Sequence, residues 1–403
     1  MMECTSPDFL DNSFFSSDDA VHQKVLYGPG CSEKIGELAK ALGNRALVVT
    51  DPGIVAAGHP QKILSSLHTA GLNADLFEDS IENPTDSSVQ ACAREFESCG
   101  IDLIIGLGGG SSLDTAKGAN FILTNGGSMK QYWGIGKANK PLLPMIAVPT
   151  TAGTGSECQS YALISDDLTQ RKMACGAKSA LPKVTLLDPE LTLSQPFSVC
   201  TATAFDALAH TLESAVCTKR NNGSHRHAQI GFSLLAQNIE QVWTNPENLE
   251  ARGAVLLGAA HAGAAIERSM LGAAHALANP LTASRGVIHG QAVSLTLPAV
   301  LAFNKEMSEA VKIYSDLARA GGIASEHDSN EDAFGLLLKK VLFLRKLGRL
   351  PTMLSQVNFT EDDLEPLARD AAEQWTASFN PRPVEKEDLH LIYQSINSFN
   401  AST

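Results

Sequence analysis

A carboxylate and an imidazole stand four positions apart in the stretch FDALAHTLES, and together they could bind a metal ion. On an α-helix, Asp206 and His210 project from one face, about one turn apart. A buried carboxylate costs free energy unless a cation, a hydrogen-bond donor or water accompanies it. The spacing alone leaves two interpretations open: a helix-cap or surface pair, or one half of a metal site.

Two further histidines make the metal interpretation the stronger one. His275 lies in LGAAHALANPL and His289 in SRGVIHGQAV, both among small and apolar residues. One aspartate and three histidines form a donor set that suits a divalent first-row ion such as Fe²⁺ or Zn²⁺. We therefore predict that Asp206, His210, His275 and His289 bind one metal ion.

Three other histidines are left outside the predicted metal site. His261, in GAAHAGAAIE, could line the same cavity or only pack within the core. His225 and His227 lie in RNNGSHRHAQ, a polar segment that predicts a solvent-exposed connector. None of the three is assigned a ligand role.

Two glycine-rich segments could bind phosphate groups. GLGGGSSLDTAKG follows the apolar run DLII and opens a helical pattern, and VPTTAGTGSE ends a second apolar run. Glycine lets backbone amides approach a phosphate, and a helix N-terminus attracts negative charge. The G-x-G-x-x-G pattern is absent, so composition alone also permits a phosphorylated sugar. The hydroxyls that could donate to phosphate or ribose are those of Ser111, Ser112, Thr150, Thr151 and Thr154.

Asp51 ends the apolar run ALVVTD and could contact a ribose. A carboxylate at the end of a strand can accept hydrogen bonds from ribose hydroxyls and repels a 2′-phosphate, which favours NAD over NADP. The residue also precedes Pro52 and Gly53, so capping of a turn is at least as good an explanation.

The elements that must position these residues change character along the chain. The first half alternates short apolar runs with amphipathic segments that end in glycine, which predicts a parallel sheet covered by helices. From about Ser194 only helical spacing remains. We predict an N-terminal extension (1–22), an α/β Rossmann-like dinucleotide-binding domain (23–195) and an all-helical, metal-binding and catalytic domain (196–403). The predicted strands are 46–51, 102–109, 145–151 and 183–188, and the predicted helices of the first domain are 32–43, 59–71 and 85–100.

Composition excludes several classes of protein. A net charge of -13 argues against nucleic-acid binding, which needs a basic patch. Eight scattered cysteines without a CxxC pair predict reduced thiols in a cytoplasmic protein. The first 23 residues contain no lysine or arginine, so no targeting segment is predicted. The uncharged run 286–304 contains His289, Gln291 and Pro298, which indicates a buried core or site and not a membrane span.

Seven segments occur in one order along the chain: GLGGGSSLDTAKG, PTTAGTGSE, LLDPELT, FDALAH, HALANPL, GVIHGQAV and NPRPV. In this combination they resemble the iron-containing (group III) alcohol dehydrogenase family, whose fold is shared with dehydroquinate synthase and glycerol dehydrogenase. The resemblance begins near residue 22 and extends over almost all of the remaining chain.

The resemblance implies the same four metal ligands and adds residues that would contact a dinucleotide. One position departs from the family, because many members have a second histidine four residues after the third ligand, where this chain has Asn279. Asparagine cannot titrate, so a proton relay would need another group, such as His261 or water. The residues implied to lie on the dinucleotide are Asp51, Asn83, Gly109, Gly110, Ser111, Asp114, Thr150, Thr151, Thr154 and Lys172.

The activity implied by the resemblance is reversible, NAD-dependent hydride transfer between a small alcohol and an aldehyde or ketone. Fe²⁺, or alternatively Zn²⁺, would act as a Lewis acid on the substrate oxygen. A homodimer is also implied. The alternatives are a hydroxyacid–oxoacid transhydrogenase that retains its nicotinamide, a metal-dependent lyase of the dehydroquinate synthase type, and an inactive scaffold. The lyase would need more lysine and arginine beside the ligands than AFDALAHTLES and GAAHALANPL contain.

Overall fold

The chain folds as an α/β unit followed by a helical unit. The computed structural model describes residues 8–9 and 23–400, and these divide into two compact units, one ending at Gln195 and the other beginning at Pro196. Every strand among the described residues belongs to the first unit. This arrangement confirms the predicted fold class. The predicted extension 1–22 lies outside the described residues, apart from the short strand at 8–9.

Within residues 8–9 and 23–195, ten strands form two sheets. The larger sheet has the order β1-β2-β10-β7-β5-β3-β4, with β1 antiparallel to β2 and the other neighbours parallel. The smaller sheet has the order β6-β9-β8. The strands are β1 Asp8–Phe9, β2 Lys24–Tyr27, β3 Arg45–Val49, β4 Asn73–Phe77, β5 Leu103–Gly108, β6 Gly134–Ile135, β7 Met145–Pro149, β8 Tyr161–Ser165, β9 Lys172–Gly176 and β10 Val184–Leu187.

Five helices belong to the first unit and nine to the second, counted over the part of the chain that the structure describes. None of these helices is both long enough and apolar enough to cross a membrane. The helices are α1 Ile35–Lys40, α2 Pro52–Ala56, α3 His59–Thr69, α4 Asp86–Phe96, α5 Gly110–Asn125, α6 Phe197–Val216, α7 Asn222–Thr244, α8 Leu249–Glu267, α9 Ala273–Arg285, α10 His289–Asn304, α11 Ser308–Ala320, α12 Asn330–Leu347, α13 Leu364–Ala372 and α14 Lys386–Ser395.

The central strand β5 shows why the predicted strands are continuous apolar runs. All six of its residues are buried, and its side chains alternate between two hydrophobic clusters, Ile105 and Leu107 in one and Ile104 in the other. A parallel strand covered by helices on both faces has no solvent-facing side, so polar residues are absent from it. The four predicted strands correspond to β3, β5, β7 and β10.

The order of the strands fixes where a ligand can bind. From β3 the chain continues to β4 on one side, then returns to β5, and proceeds to β7 and β10 on the other side. The carboxyl ends of β3 and β5 therefore lie at the point where the strand order reverses. In open α/β sheets, this is where a nucleotide binds.

Some features of the fold differ from the sequence predictions. The strands β2 and β4 and the small sheet of β6, β8 and β9 were not predicted. The segment RNNGSHRHAQ is not a connector, because α7 begins within it at Asn222. The polar residues there form a capping box, in which the side chains of Asn221 and Ser224 each accept a hydrogen bond from the backbone N–H of the other residue.

Candidate active site

Four predicted ligands converge in the helical unit. Asp206 and His210 lie on α6, His275 on α9 and His289 at the start of α10. Oδ1 of Asp206 is 3.5 Å from Nε2 of His210, 3.2 Å from Nε2 of His275 and 3.8 Å from Nε2 of His289. Two ligand atoms that each lie about 2.1 Å from an ion can be at most about 4.2 Å apart. The ligand atoms of Asp206, His210 and His275 also all lie within 4.8 Å of one another, so these three residues form a group that could hold an ion, and His289 lies beside it.

The electrostatics of this group favour a cation. Asp206, His210 and His275 are buried, whereas the side chain of His289 is 26% exposed. Burial by itself raises the pKa of Asp206, but the three neighbouring imidazoles outweigh it and hold the pKa below its usual value. Burial by itself lowers the pKa of the His275 imidazole, but the carboxylates of Glu213 and Asp206 outweigh burial and raise the pKa to about 9. The donor set of one carboxylate and three imidazoles suits Fe²⁺ or Zn²⁺.

Helix spacing and close packing bring the donors together. Asp206 and His210 share one face of α6 because four residues make about one turn. A Cβ atom at Gly290 would lie only 2.1 Å from the backbone oxygen of Ala202 on α6. Glycine at this position therefore lets the first turn of α10, including His289, approach the backbone of α6.

Glu213 belongs to the same cluster but was not predicted. Its Oε1 accepts hydrogen bonds from the backbone N–H of Gly272 (3.1 Å) and of Ala274 (2.7 Å), and its Oε2 contacts Nδ1 of His275. The residue spacing in FDALAHTLES could have indicated Glu213, because it follows Asp206 by seven residues and His210 by three. All three therefore share one face of α6.

The other histidines and Asn279 occupy different environments. His227 is buried on α7, so the prediction that it is exposed was wrong. Its Nδ1 lies 2.8 Å from Nδ1 of His261 on α8, and one of the two imidazoles donates to the other. Burial, with Arg268 and Arg226 nearby, lowers the pKa of His261 to about 3. The amide of Asn279 donates to Gln374 Oε1 at 3.1 Å.

The glycine loop in the first unit forms the start of α5. Gly109 is the N-cap of that helix and, as a glycine, has no side chain with which to cap it. A Cβ at Gly110 would lie 2.6 Å from Cγ2 of Thr154, and one at Gly109 would lie 3.4 Å from Thr151. A Cβ would therefore clash at position 110, where the two predicted loops pack together, but would make only an ordinary contact at position 109. The N-terminus of α5 presents backbone donors as a phosphate site does.

Asp51 caps the start of α2, one of the two roles that its position suggested, and also bonds to the glycine loop. Its Oδ1 accepts from the backbone N–H of Gly53 (3.0 Å) and of Ile54 (3.1 Å), which caps α2. Its Oδ2 accepts from Ser112 Oγ at 2.7 Å, which ties the end of β3 to the glycine loop. The carboxylate therefore lies at the point where the strand order reverses.

The remaining predicted nucleotide residues surround the same helix start. The backbone N–H of Asn83 donates to Ser111 Oγ at 3.2 Å, and Lys172 Nζ donates to Asn83 Oδ1 at 2.9 Å. Asp114 is buried and accepts from Ser156 Oγ at 2.8 Å. Burial raises the pKa of Asp114, although Lys117 and Ser156 partly offset the effect.

Thr150 adds a polar atom that needs a partner. Its backbone N–H donates to the carbonyl of Gly108 at 3.0 Å, which joins the ends of β7 and β5. Its Oγ1 is buried and has no hydrogen-bond partner within the described part of the chain. A buried hydroxyl is nearly always satisfied, so this atom fits contact with a bound molecule.

Lys117 lies in the segment GLGGGSSLDTAKG, but the sequence predicted no role for it. It is fully buried, and its Nζ donates to the carbonyl oxygens of Ser156 (2.6 Å), Gln159 (2.8 Å) and Tyr161 (2.9 Å). These bonds fix the second loop against α5. A lysine in an amphipathic helix usually faces solvent, so the sequence offered only weak guidance.

A parallel-sheet unit with glycine loops, followed by a helical unit with a buried Asp/His group, defines a class of metal-binding oxidoreductase. The sequence matches the iron-containing alcohol dehydrogenase family over residues 22–189 and the C-terminal part of the Fe-containing alcohol dehydrogenase family over residues 200–397. The chain belongs to the iron-containing alcohol dehydrogenase family. Members of this family use NAD(P) and a divalent metal and act on small alcohols and aldehydes.

Individual relatives support this assignment over nearly the full length. The chain is 31% identical to 1,3-propanediol dehydrogenase of Citrobacter freundii, over 95% of this chain and 99% of that protein. It is 28% identical to NAD-dependent methanol dehydrogenase of Bacillus methanolicus, over 92% and 97%. Sulfoacetaldehyde reductase of Bifidobacterium kashiwanohense, whose crystal structure contains NAD⁺, has a TM-score of 0.82 and 26% identity, over 93% and 96%.

Proposed function

We propose that this protein catalyses reversible hydride transfer between a small alcohol and NAD⁺, giving the aldehyde or ketone and NADH. The observation that carries the proposal is the convergence of three imidazole Nε2 atoms within 3.8 Å of Asp206 Oδ1. Such a group suits a divalent cation, and members of this family use one in acting on small alcohols. Residues 23–195 would bind the nucleotide and residues 196–403 the metal.

Asp206, His210, His275 and His289 would hold the ion, with Fe²⁺ as the proposed metal and Zn²⁺ as an acceptable substitute. When bound, a divalent ion supplies Lewis acidity toward the oxygen of the substrate. The side chains of the cluster would direct their donor atoms toward one ion. They contribute no nucleophile, and hydride transfer to a nicotinamide does not need one.

The first unit would bind NAD⁺ around the start of α5. The backbone N–H groups of its first turn would donate to the pyrophosphate, and the buried Oγ1 of Thr150 would hydrogen-bond to the nucleotide. The carboxylate of Asp51, at the strand-order reversal, disfavours a 2′-phosphate and so supports NAD⁺ over NADP⁺. The other proposed contacts are Asn83, Gly109, Gly110, Ser111, Asp114, Thr151, Thr154 and Lys172.

The test is an anaerobic substrate panel followed by NADH absorbance, with metal analysis of the same sample. Methanol, 1,3-propanediol and sulfoacetaldehyde, named for the relatives, are the first compounds to assay. His275→Ala should lose the metal and the activity yet keep NADH binding. His327→Ala, at an exposed position, is the matched control. A His275→Ala protein with normal metal content and turnover would refute the proposal.

The same panel separates the alternatives. Turnover of a hydroxyacid with an oxoacid and no added NAD would indicate a transhydrogenase with retained nicotinamide. Metal binding without any nicotinamide reaction would favour a lyase. We also propose a homodimer, which light scattering coupled to size-exclusion chromatography measures directly.

A further inference from the structure

The carboxylate of Glu213 contacts the metal cluster without belonging to the donor set. It is 3% exposed, lies on α6 and uses both oxygens. Oε1 accepts from the backbone N–H groups of Gly272 and Ala274, and Oε2 faces Nδ1 of His275. Glu213 therefore joins the first turn of α9 to the imidazole that this turn carries.

We propose that Glu213 is a positioning residue that fixes the tautomer of His275, so that Nε2 is left free to bind the metal. The inference rests on the proposed metal role of His275. A neutral imidazole carries one hydrogen, on either Nδ1 or Nε2. An ionised carboxylate can only accept, so its contact with Nδ1 places the hydrogen there. Nε2, which lies 3.2 Å from Asp206 Oδ1, is then the nitrogen whose lone pair a metal ion between the two atoms would bind.

The backbone N–H groups of Gly272 and Ala274 determine how the amide of Glu213→Gln would be oriented. In Glu213→Gln, the amide oxygen must stay at the Oε1 position, because the alternative rotamer would aim an NH₂ group at the N–H groups of Gly272 and Ala274. The amide NH₂ is then held against His275 Nδ1, which must become an acceptor. The imidazole hydrogen moves to Nε2 and blocks the metal position. The substitution therefore keeps the helix start and reverses the tautomer.

Measurement of metal affinity distinguishes a positioning role of Glu213 from a purely structural one. We expect Glu213→Gln to weaken Zn²⁺ binding on the order of 10–100-fold, measured by competition with a chelator, with thermal unfolding of the metal-free protein little changed. The control is Glu240→Gln, which removes a carboxylate from a surface pair with Lys340. Wild-type affinity in a folded Glu213→Gln protein would overturn the inference. It would leave the proposed function intact, whereas failure of the wild-type protein to bind metal would remove both.

A double-mutant cycle tests whether Glu213 acts through His275. In the His275→Ala background, adding Glu213→Gln should change the residual Zn²⁺ affinity by less than about 2-fold. An equal loss in both backgrounds contradicts the proposal. If Glu213→Gln does not fold, ¹⁵N-histidine NMR of the Zn²⁺-loaded wild-type protein decides the question. Hydrogen on Nδ1 and metal on Nε2 of His275 is expected, and the reverse arrangement overturns it.

Discussion

Replacing Gly290 by alanine should damage the metal centre through the backbone, without changing any ligand. The new Cβ would lie 2.1 Å from the carbonyl oxygen and 2.6 Å from the carbonyl carbon of Ala202, whereas ordinary contacts begin near 3.4 Å. Both obstacles are backbone atoms, so no side chain can rotate away. The start of α10 must therefore separate from α6 by about 1 Å, because close-packed interiors offer no spare space.

That displacement is large on the scale of metal coordination. His289 is adjacent to Gly290, and its Nε2 is already 3.8 Å from Asp206 Oδ1. Metal–ligand distances tolerate deviations of about 0.2 Å. We expect Gly290→Ala to lose His289 as a ligand and to weaken Zn²⁺ or Fe²⁺ binding by at least about 10-fold. Overpacking should also cost about 1–3 kcal/mol of unfolding free energy.

Chelator competition measures the affinity, and denaturant unfolding of the metal-free protein measures the stability. The matched control is Gly335→Ala in the middle of α12, where an added Cβ has no neighbour within 4 Å. Helix propensity predicts that this control gains about 0.5–1 kcal/mol and leaves metal binding unchanged. A folded Gly290→Ala protein with wild-type metal affinity would show that close approach of α10 to α6 does not position His289.

Three further predictions concern the first unit. Burial raises the pKa of Glu157 to about 7, so the folded state retains a proton that the unfolded chain releases near pH 4.5. The free energy of unfolding should fall by on the order of 3 kcal/mol as pH rises between these values. Glu157→Gln should remove this pH dependence, and parallel pH profiles of unfolding for the two proteins would contradict the prediction. Lys117→Met leaves buried acceptors unsatisfied, so it should cost about 3 kcal/mol and weaken NADH binding in a fluorescence titration. An unchanged affinity would argue against its support of the loop. Asp51→Asn keeps the cap but removes the charge, and should therefore lower the KM for NADP⁺ relative to NAD⁺; an unaltered ratio would exclude Asp51 from cofactor choice.

Local sequence patterns were sufficient for four of the buried parallel strands and for half of the metal site. The strands β3, β5, β7 and β10 were recognisable because a buried parallel strand is a continuous apolar run. Asp206 and His210 had to share a face once α6 was recognised as a helix. The sequence did not predict β8 and β9; β8 leaves Leu163 exposed and is therefore not a continuous buried run.

Some inward-facing residues carried misleading local signals. His227 lies in a polar stretch, yet the capping residues around it start a helix that turns its imidazole toward His261. The role of Glu213 was equally hidden, because its partners Gly272, Ala274 and His275 lie about 60 residues away in sequence. Periodicity describes one helix at a time and contains no information on which helices meet.

The sequence by itself determined the classes of element, the candidate donors and the two glycine-rich loops, because each depends on spacing within a few residues. Only the tertiary structure decided that His275 and His289, on separate helices, reach the oxygen of Asp206. It also decided that Glu213 faces His275 and that the carboxyl ends of β3 and β5 are neighbours. These outcomes depend on how helices pack and on which strands pair, and both are set by interactions between residues that are distant in the chain.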